Sequence, residues 1–168
     1  MEQAFSPEAT HKGVYIAVLN QGSIRVELAY VLTDLTHQRK YRLWLTYPAA
    51  KPISNNRNLI IQDFLKRKEY DYLMMIDGDI VPPNNILDLV DFQKDIIGCV
   101  CFAYTNNAIV PLVLERLSKE EEQKSSDGRS LSYKVKEFNG DEGLVECDAI
   151  GSGIIIMSRK VIEDLQND

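Results

Sequence analysis

Histidine is almost missing from this chain: there are two in 168 residues, and His11 and His37 lie too far apart in sequence to suggest a histidine metal cluster. The three cysteines, Cys99, Cys101 and Cys147, are odd in number, lack the paired spacing of zinc ligands and sit in apolar surroundings. They read as buried free thiols, which leaves no zinc site and no disulfide framework to expect. No apolar run reaches the roughly 18 residues that cross a bilayer, so no transmembrane segment is expected. The N-terminal Met1-Glu-Gln-Ala-Phe-Ser-Pro7 also lacks a basic region followed by an apolar one, and a soluble, cytoplasmic protein is the expectation. Basic residues are in the minority, 19 against 25 acidic ones, giving a net charge of −6. A phosphate backbone needs a basic face to meet it, so nucleic acid is not an expected partner.

What is present is apolar material for a core. At 45% hydrophobic content over 168 residues, with no internal repeat, the chain reads as one domain spanning 1–168. Gly13-Val-Tyr-Ile-Ala-Val-Leu19 is a short apolar, partly β-branched run. Asn20-Gln-Gly22 then turns, and Ser23 is placed to cap a helix running to about Leu35. Tyr41 to Tyr47 alternates as a second strand, and the prolines of 48–54 end it. Asn55 or Asn56 is expected to cap a helix whose apolar residues Ile60, Ile61, Phe64 and Leu65 keep helical spacing, with Lys66, Arg67 and Lys68 in its last turn. Strands are expected at Tyr72 to Ile76 and Asp95 to Cys101, separated by a short helix that starts at Asn84 or Asn85. Leu131 to Phe138 and a buried run ending at Met157 complete the set before a final helix near Ser158. Alternation of this kind predicts an α/β fold with a mostly parallel sheet. Between them, 118–130 is charged and serine-rich without an apolar face, and reads as a mobile polar insertion.

The most telling stretch is Asp71-Tyr-Leu-Met-Met-Ile-Asp77-Gly-Asp79-Ile-Val-Pro-Pro83, where a wholly apolar strand ends on two carboxylates separated by one glycine. Ligands of α/β sheets bind beyond the carboxyl ends of the strands, and paired aspartates there supply the hard oxygens that Mg²⁺ and Mn²⁺ prefer. Gly78 is expected to let the backbone approach a ligand. An Asp-Gly turn closing a strand is the plain alternative, but two charges at the end of a buried strand need a cation or hydrogen-bond donors.

With Asn56-Arg57-Asn58 ahead of it and Gly151-Ser-Gly153 followed by a buried strand and helix behind it, this stretch resembles the donor-binding half of GT-A-fold glycosyltransferases. The resemblance implies a Rossmann-like three-layer α/β/α sandwich and transfer of a sugar from a nucleotide-diphosphate donor, a UDP- or GDP-sugar, to an acceptor it does not identify. By the same resemblance Asp79 ligates Mn²⁺ or Mg²⁺, and Asp77 lies near the ribose and the metal. Arg57 and Asn58 approach the nucleotide, and Asn20 and Gln21 stand where the base pocket begins. Gly151, Ser152 and Gly153 admit the sugar or acceptor, with Asp148 just before them as the candidate catalytic carboxylate. In the family the base of inverting members lies beyond the segment matching Lys160 to Leu165, so a C-terminally short form is expected. Two other readings stay open. Asp77-Gly-Asp79-Ile-Val81 also fits the first motif of haloacid-dehalogenase-like phosphatases, with Asp77 as nucleophile, and the chain could be a non-catalytic nucleotide-sugar-binding remnant.

Overall fold

The structure is a computed structural model that describes residues 12–49, 51–105, 107–118, 132–139 and 143–167. Nearly all of the expected polar insertion, 119–130, lies outside the described residues, as does His11. The chain divides into two compact units, one made of Met1–Ile97 with Gly153–Asp168 and the other of Gly98–Ser152.

The first unit is built on a five-stranded sheet. Its strands are β1 (Gly13–Leu19), β2 (Arg42–Thr46), β3 (Tyr72–Asp77), β4 (Ile96–Gly98) and β10 (Ile154–Ser158), in the order β2-β1-β3-β10-β4. β1 runs parallel to β2 and β3, but β10 pairs antiparallel with β3, from Ile154 opposite Ile76 to Ser158 opposite Tyr72. The sheet is therefore mixed. The expected mostly parallel sheet, and with it the Rossmann-like three-layer GT-A sandwich, is not what this chain forms. Apolar patterning reports that a strand is buried and not which way it runs. Here the chain between β4 and β10 makes two small sheets in place of a helical crossover.

Those two sheets form the second unit. β5 (Phe102–Thr105) and β6 (Ala108–Pro111) pair as a two-stranded sheet. β7 (Val113–Arg116) lies between β8 (Tyr133–Val135) and β9 (Ala149–Ile150) in a three-stranded one.

Helices of the first unit bury regular stripes. α1 (Val26–His37) buries Leu28, Val31, Leu32 and Leu35, and α2 (Ile53–Lys66) buries Asn56, Ile60 and Phe64, one residue per helical turn. Both begin away from their expected caps. Arg25 and Pro52 occupy the N-cap positions without a side-chain capping bond, so Ser23 lies outside α1 while Asn55 and Asn56 lie inside α2. A 3-10 helix (Ile86–Phe92) follows β3, and α3 (Arg159–Asn167) follows β10. No helix among the described residues is long and apolar enough to cross a membrane.

Strand periodicity sorts the core. The odd-numbered Tyr15, Ala17, Leu19, Leu73 and Met75 cluster with Ile60 and Phe64 of α2, Tyr70, and Ile162 of α3. Val14, Ile16, Val18, Met74 and Ile76 on the opposite face are also buried, so the sheet's centre is covered on both sides.

A polar contact is set into that core. The Tyr15 hydroxyl donates to Asp63 Oδ2 at 2.6 Å, and Arg67 Nε donates to the same oxygen at 3.0 Å. Burial, then the bond to Asp63, raises the Tyr15 pKa above its ordinary value, while that bond lowers the pKa of Asp63. A raised tyrosine stabilises the fold below its unfolded pKa of about 10, and that stabilisation is lost as pH climbs through the folded value. A lowered aspartate stabilises above about 3.9 and loses that contribution as pH falls through its folded value. Tyr15→Phe is expected to cost roughly 1–2 kcal/mol at neutral pH and to flatten the alkaline decline of the urea midpoint. An unchanged alkaline limb in Tyr15→Phe would show that this hydroxyl does not govern it.

Candidate functional site

At the carboxyl end of the central strand the alternation of β3 places Asp77 in phase with Leu73 and Met75, on the face that α2 covers. Arg57, one turn into α2, meets it there: Arg57 Nη2 lies 3.3 Å from Asp77 Oδ1, with each side chain about three-quarters buried. The backbone of Asp77 is held as well, its N–H donating to Gly153 O at 2.8 Å. Burial is the main influence on the Asp77 carboxyl and pushes its pKa up. The Arg57 guanidinium pulls it back, and the neighbouring Asp79 charge pushes it up again.

Gly78 turns the chain between the two carboxylates. Its N–H donates to Leu19 O at 2.7 Å, its carbonyl accepts from Arg25 N–H at 3.1 Å, and a Cβ there would stand 2.9 Å from Leu19 O. The close approach that requires glycine is thus to the end of β1 rather than to a ligand. Asp79 follows in the turn and is exposed.

A cleft of about 420 Å³ opens beside this turn, and Asp77, Gly78 and Asp79 form one side of it. The segment joining β1 to α1 forms another, through Asn20, Gln21, Ser23, Ile24 and Arg25. Lys51, Ile53 and Asn56, around the start of α2, complete the lining. Two carboxylates, two cations and three amides therefore share one concavity, a composition that suits a polar, charged ligand.

Asn20 has a structural task within this wall. Its Nδ2 donates to Pro48 O at 3.2 Å and its Oδ1 accepts from Gly22 N–H at 2.9 Å, tying the end of β1 to the loop after β2 and shaping the turn in which Gly22 takes φ +113°. Asn56 is buried to 1% exposure, and its Nδ2 donates to Pro48 O at 3.0 Å. Its Oδ1 has no hydrogen-bond partner among the described residues. A buried acceptor left in that state costs about 1–3 kcal/mol.

The remaining expected residues fall elsewhere. Asn58 is exposed and lines a separate hollow of about 250 Å³ with Ile61, Gln62, Met157, Ile162 and Leu165. Gly153 reaches the site through the backbone bond to Asp77. Gly151 and Ser152 belong to the other unit, where a Cβ on Gly151 would stand 2.9 Å from Leu112 Cβ and 3.2 Å from Cys101 Cβ, so packing accounts for that glycine. Asp148, in the same unit, accepts Arg116 N–H on Oδ2 at 2.8 Å and donates its own N–H to Leu114 O at 2.9 Å, which ties the start of β9 to β7.

Sequence reasoning did not single out Arg25 or Lys51, and took Asn56 for a cap. The signal for Asn56 was present in the spacing Asn56, Ile60, Phe64, which puts a polar residue on the buried stripe of a helix.

Among the described residues no group of three or more histidine, cysteine, aspartate or glutamate side chains is gathered as a metal site. Asp77 and Asp79 by themselves fit Mg²⁺ or Mn²⁺, which commonly take one or two carboxylates and fill their shell with water and substrate phosphates. A divalent cation would also offset the Asp79 charge, which adds to burial in raising the Asp77 pKa.

No protein-family model matches the chain, and no curated protein matches it. Three solved chains do. One is the crystal structure of A197 from STIV, with a TM-score of 0.57 and 17% sequence identity over 90% of this chain and 67% of that chain. At that identity the likeness is one of fold and carries no argument about chemistry.

Proposed function

We propose that the cleft binds a nucleotide-diphosphate sugar and that the protein is a metal-dependent glycosyltransferase acting on that donor. The observation that carries this reading is the pair Asp77 and Asp79, delivered by a buried strand to the mouth of a cleft that also holds Arg25 and Lys51. Carboxylates at one side and cations at another match a ligand that brings a phosphate-bound cation together with its own negative oxygens.

Asp79, with Asp77 beside it, would hold Mn²⁺ or Mg²⁺, which supplies Lewis-acid stabilisation of the diphosphate as it leaves. The rest falls to the chain's own groups. Arg57 lowers the Asp77 pKa against the burial that raises it, and its guanidinium orients the carboxylate. Arg25 and Lys51, in the lining of the cleft, would meet phosphate oxygens or base carbonyls, and the start of α1, whose N-cap is Arg25, adds the positive end of a helix dipole to the same wall. The loop of Asn20 and Gly22 is braced by its own hydrogen bonds, so this wall is formed before any ligand arrives.

A phosphatase with Asp77 as nucleophile would use the same metal, and product analysis separates the two. The transferase reading predicts Mn²⁺-dependent release of nucleoside diphosphate from one nucleotide sugar, increased by the right acceptor, and no turnover of para-nitrophenyl phosphate. Magnesium-dependent hydrolysis of that phosphomonoester, lost in Asp77→Asn, would overturn the transferase in favour of the phosphatase. Tight donor binding with no release over hours would instead favour the non-catalytic reading.

A further inference from the structure

β5 and β6 form a ribbon that no other strand among the described residues joins. Its register sets Phe102 opposite Pro111 and Tyr104 opposite Ile109, so these four side chains share one face. The other face carries Ala103 opposite Val110, both half-buried. Phe102, Tyr104 and Ile109 are 65%, 74% and 72% exposed. The largest apolar side chains of the ribbon therefore meet solvent while smaller ones are covered, the reverse of the polar-out pattern of a solvated antiparallel ribbon. A two-stranded ribbon by itself is marginal in water and gains its stability from what packs on it.

Charge and area decide what that is. From Ile96 to Leu114 the chain has no charged residue, although 26% of the whole is charged. A partner recognised by charge would find nothing to pair with on this face, so its complement is apolar and uncharged. Two copies that each carry a net charge of −6 repel one another where charged surfaces meet, and an uncharged face is where they can approach. At about 150–250 Å² for a whole aromatic side chain, the three exposed groups leave roughly 400 Å² open, as much as the largest apolar patch of a typical monomer. Doubled across a two-fold axis, and widened by Pro111 and the adjoining backbone, the contact comes to about 1,000 Å² in total, the lower bound of a specific interface. Its central ring is also set in advance. Asn107 turns the hairpin at φ +60°, and the Tyr104 hydroxyl donates to Asn107 Oδ1 at 3.3 Å.

We infer that this face is the docking surface for a second copy of the chain, the two ribbons stacking face to face about a two-fold axis with Phe102, Tyr104 and Ile109 of each at the centre. A contact of the same patch on both partners closes at two and leaves no open face for growth. The inference is independent of the nucleotide reading of the cleft.

Sedimentation equilibrium should show a monomer–dimer equilibrium with a dissociation constant on the order of 10 μM, as suits a small interface. Tyr104→Lys and Ile109→Lys, each introduced twice per dimer, should weaken it by at least about 30-fold. Tyr30→Lys, which changes an exposed aromatic residue on α1, should leave it unchanged. A second readout uses the unaltered chain: hydroxyl-radical labelling of Phe102 and Tyr104 should fall as concentration rises from about tenfold below to about tenfold above that constant, while labelling of Tyr30 stays level. If the lysine variants fail to fold, the labelling decides. A chain still monomeric at about 100 μM would overturn the inference, as that concentration exceeds the expected constant about tenfold. A dimer that survives both lysine substitutions, or forms without shielding Phe102 and Tyr104, would overturn it by placing the interface elsewhere. Assemblies that grow past two would overturn the two-fold packing. A monomer whose Phe102 and Tyr104 become shielded on adding phosphatidylcholine vesicles would give the face to a membrane surface instead.

Discussion

Asp79→Ala is expected to weaken Mn²⁺-dependent binding of the nucleotide-sugar donor by about 100-fold or more and to leave the melting temperature nearly unchanged. The two halves of this expectation have different origins. Asp79 is exposed and lies beyond the last residue of β3, so its side chain adds little to the core, and substitutions at such surface positions usually stay within about ±0.5 kcal/mol. Its carboxylate is nonetheless one of only two at the turn. Losing a ligand from so sparse a set should cost at least as much as losing an outer-shell partner, for which about 10–100-fold is typical. The remaining carboxylate, Asp77, is held by Arg57 and has less freedom to compensate. Titration of the variant with UDP- and GDP-sugars in Mn²⁺ checks this, and affinity equal to the parent's would remove Asp79 from the metal site.

Arg159→Ala is expected to be the most destabilising single truncation among the polar residues of the first unit, costing roughly 3–5 kcal/mol. The Arg159 guanidinium donates from Nη2 to Phe64 O at 3.2 Å and to Arg67 O at 2.8 Å, and from Nε to Tyr70 O at 2.8 Å. It also lies 4.2 Å from the centroid of the Phe64 ring. The carbonyls belong to the end of α2 and the turn after it, where helix geometry leaves oxygens without intrahelical donors and the dipole favours a cation. Charge-assisted bonds of this kind contribute about 1.5–3 kcal/mol each, and removing the donor strands partly buried acceptors. For a chain of this size the melting temperature should fall by roughly 6–20 °C. Arg159→Lys should recover only part of the loss, because an ammonium cannot span three carbonyls in one plane. A fall of under about 2 °C in Arg159→Ala would show that water replaces the guanidinium without cost.

Arg159 also shows where the sequence stops being informative. In sequence it reads as the first residue of a helix, and its real partners lie at Phe64, Arg67 and Tyr70, far away along the chain. The carboxylate turn was legible for the opposite reason. Burial of Tyr72 to Ile76 and the charge of Asp77 and Asp79 are adjacent in sequence, so the physical conflict that marks the site is local. Strands β1 and β3 are legible from their apolar runs, and β2 from its polar and apolar alternation, to within a residue or two at their ends. The direction of β10 was not, because a buried Ile-Ile-Ile segment serves a parallel or an antiparallel neighbour equally well. Helix starts were displaced for a related reason: Asn55 and Asn56 are good caps, yet Pro52 already fixes the backbone from which α2 begins. Nothing local in the sequence singles out Arg25 or Lys51, and only the folding of the β1–α1 and β2–α2 connections brings them to the same cleft.

The most direct test of the donor site is calorimetric titration of the unaltered chain with a panel of UDP- and GDP-sugars, with and without Mn²⁺. One donor should bind in Mn²⁺ and lose at least about tenfold in affinity when the metal is chelated, because two carboxylates would hold a cation only together with the ligand's phosphates. Saturation at about 100 times the dissociation constant should add roughly 2.7 kcal/mol to stability. Failure of every nucleotide sugar to bind, or binding indifferent to the metal, would contradict the assignment of Asp77 and Asp79 to a nucleotide-sugar site.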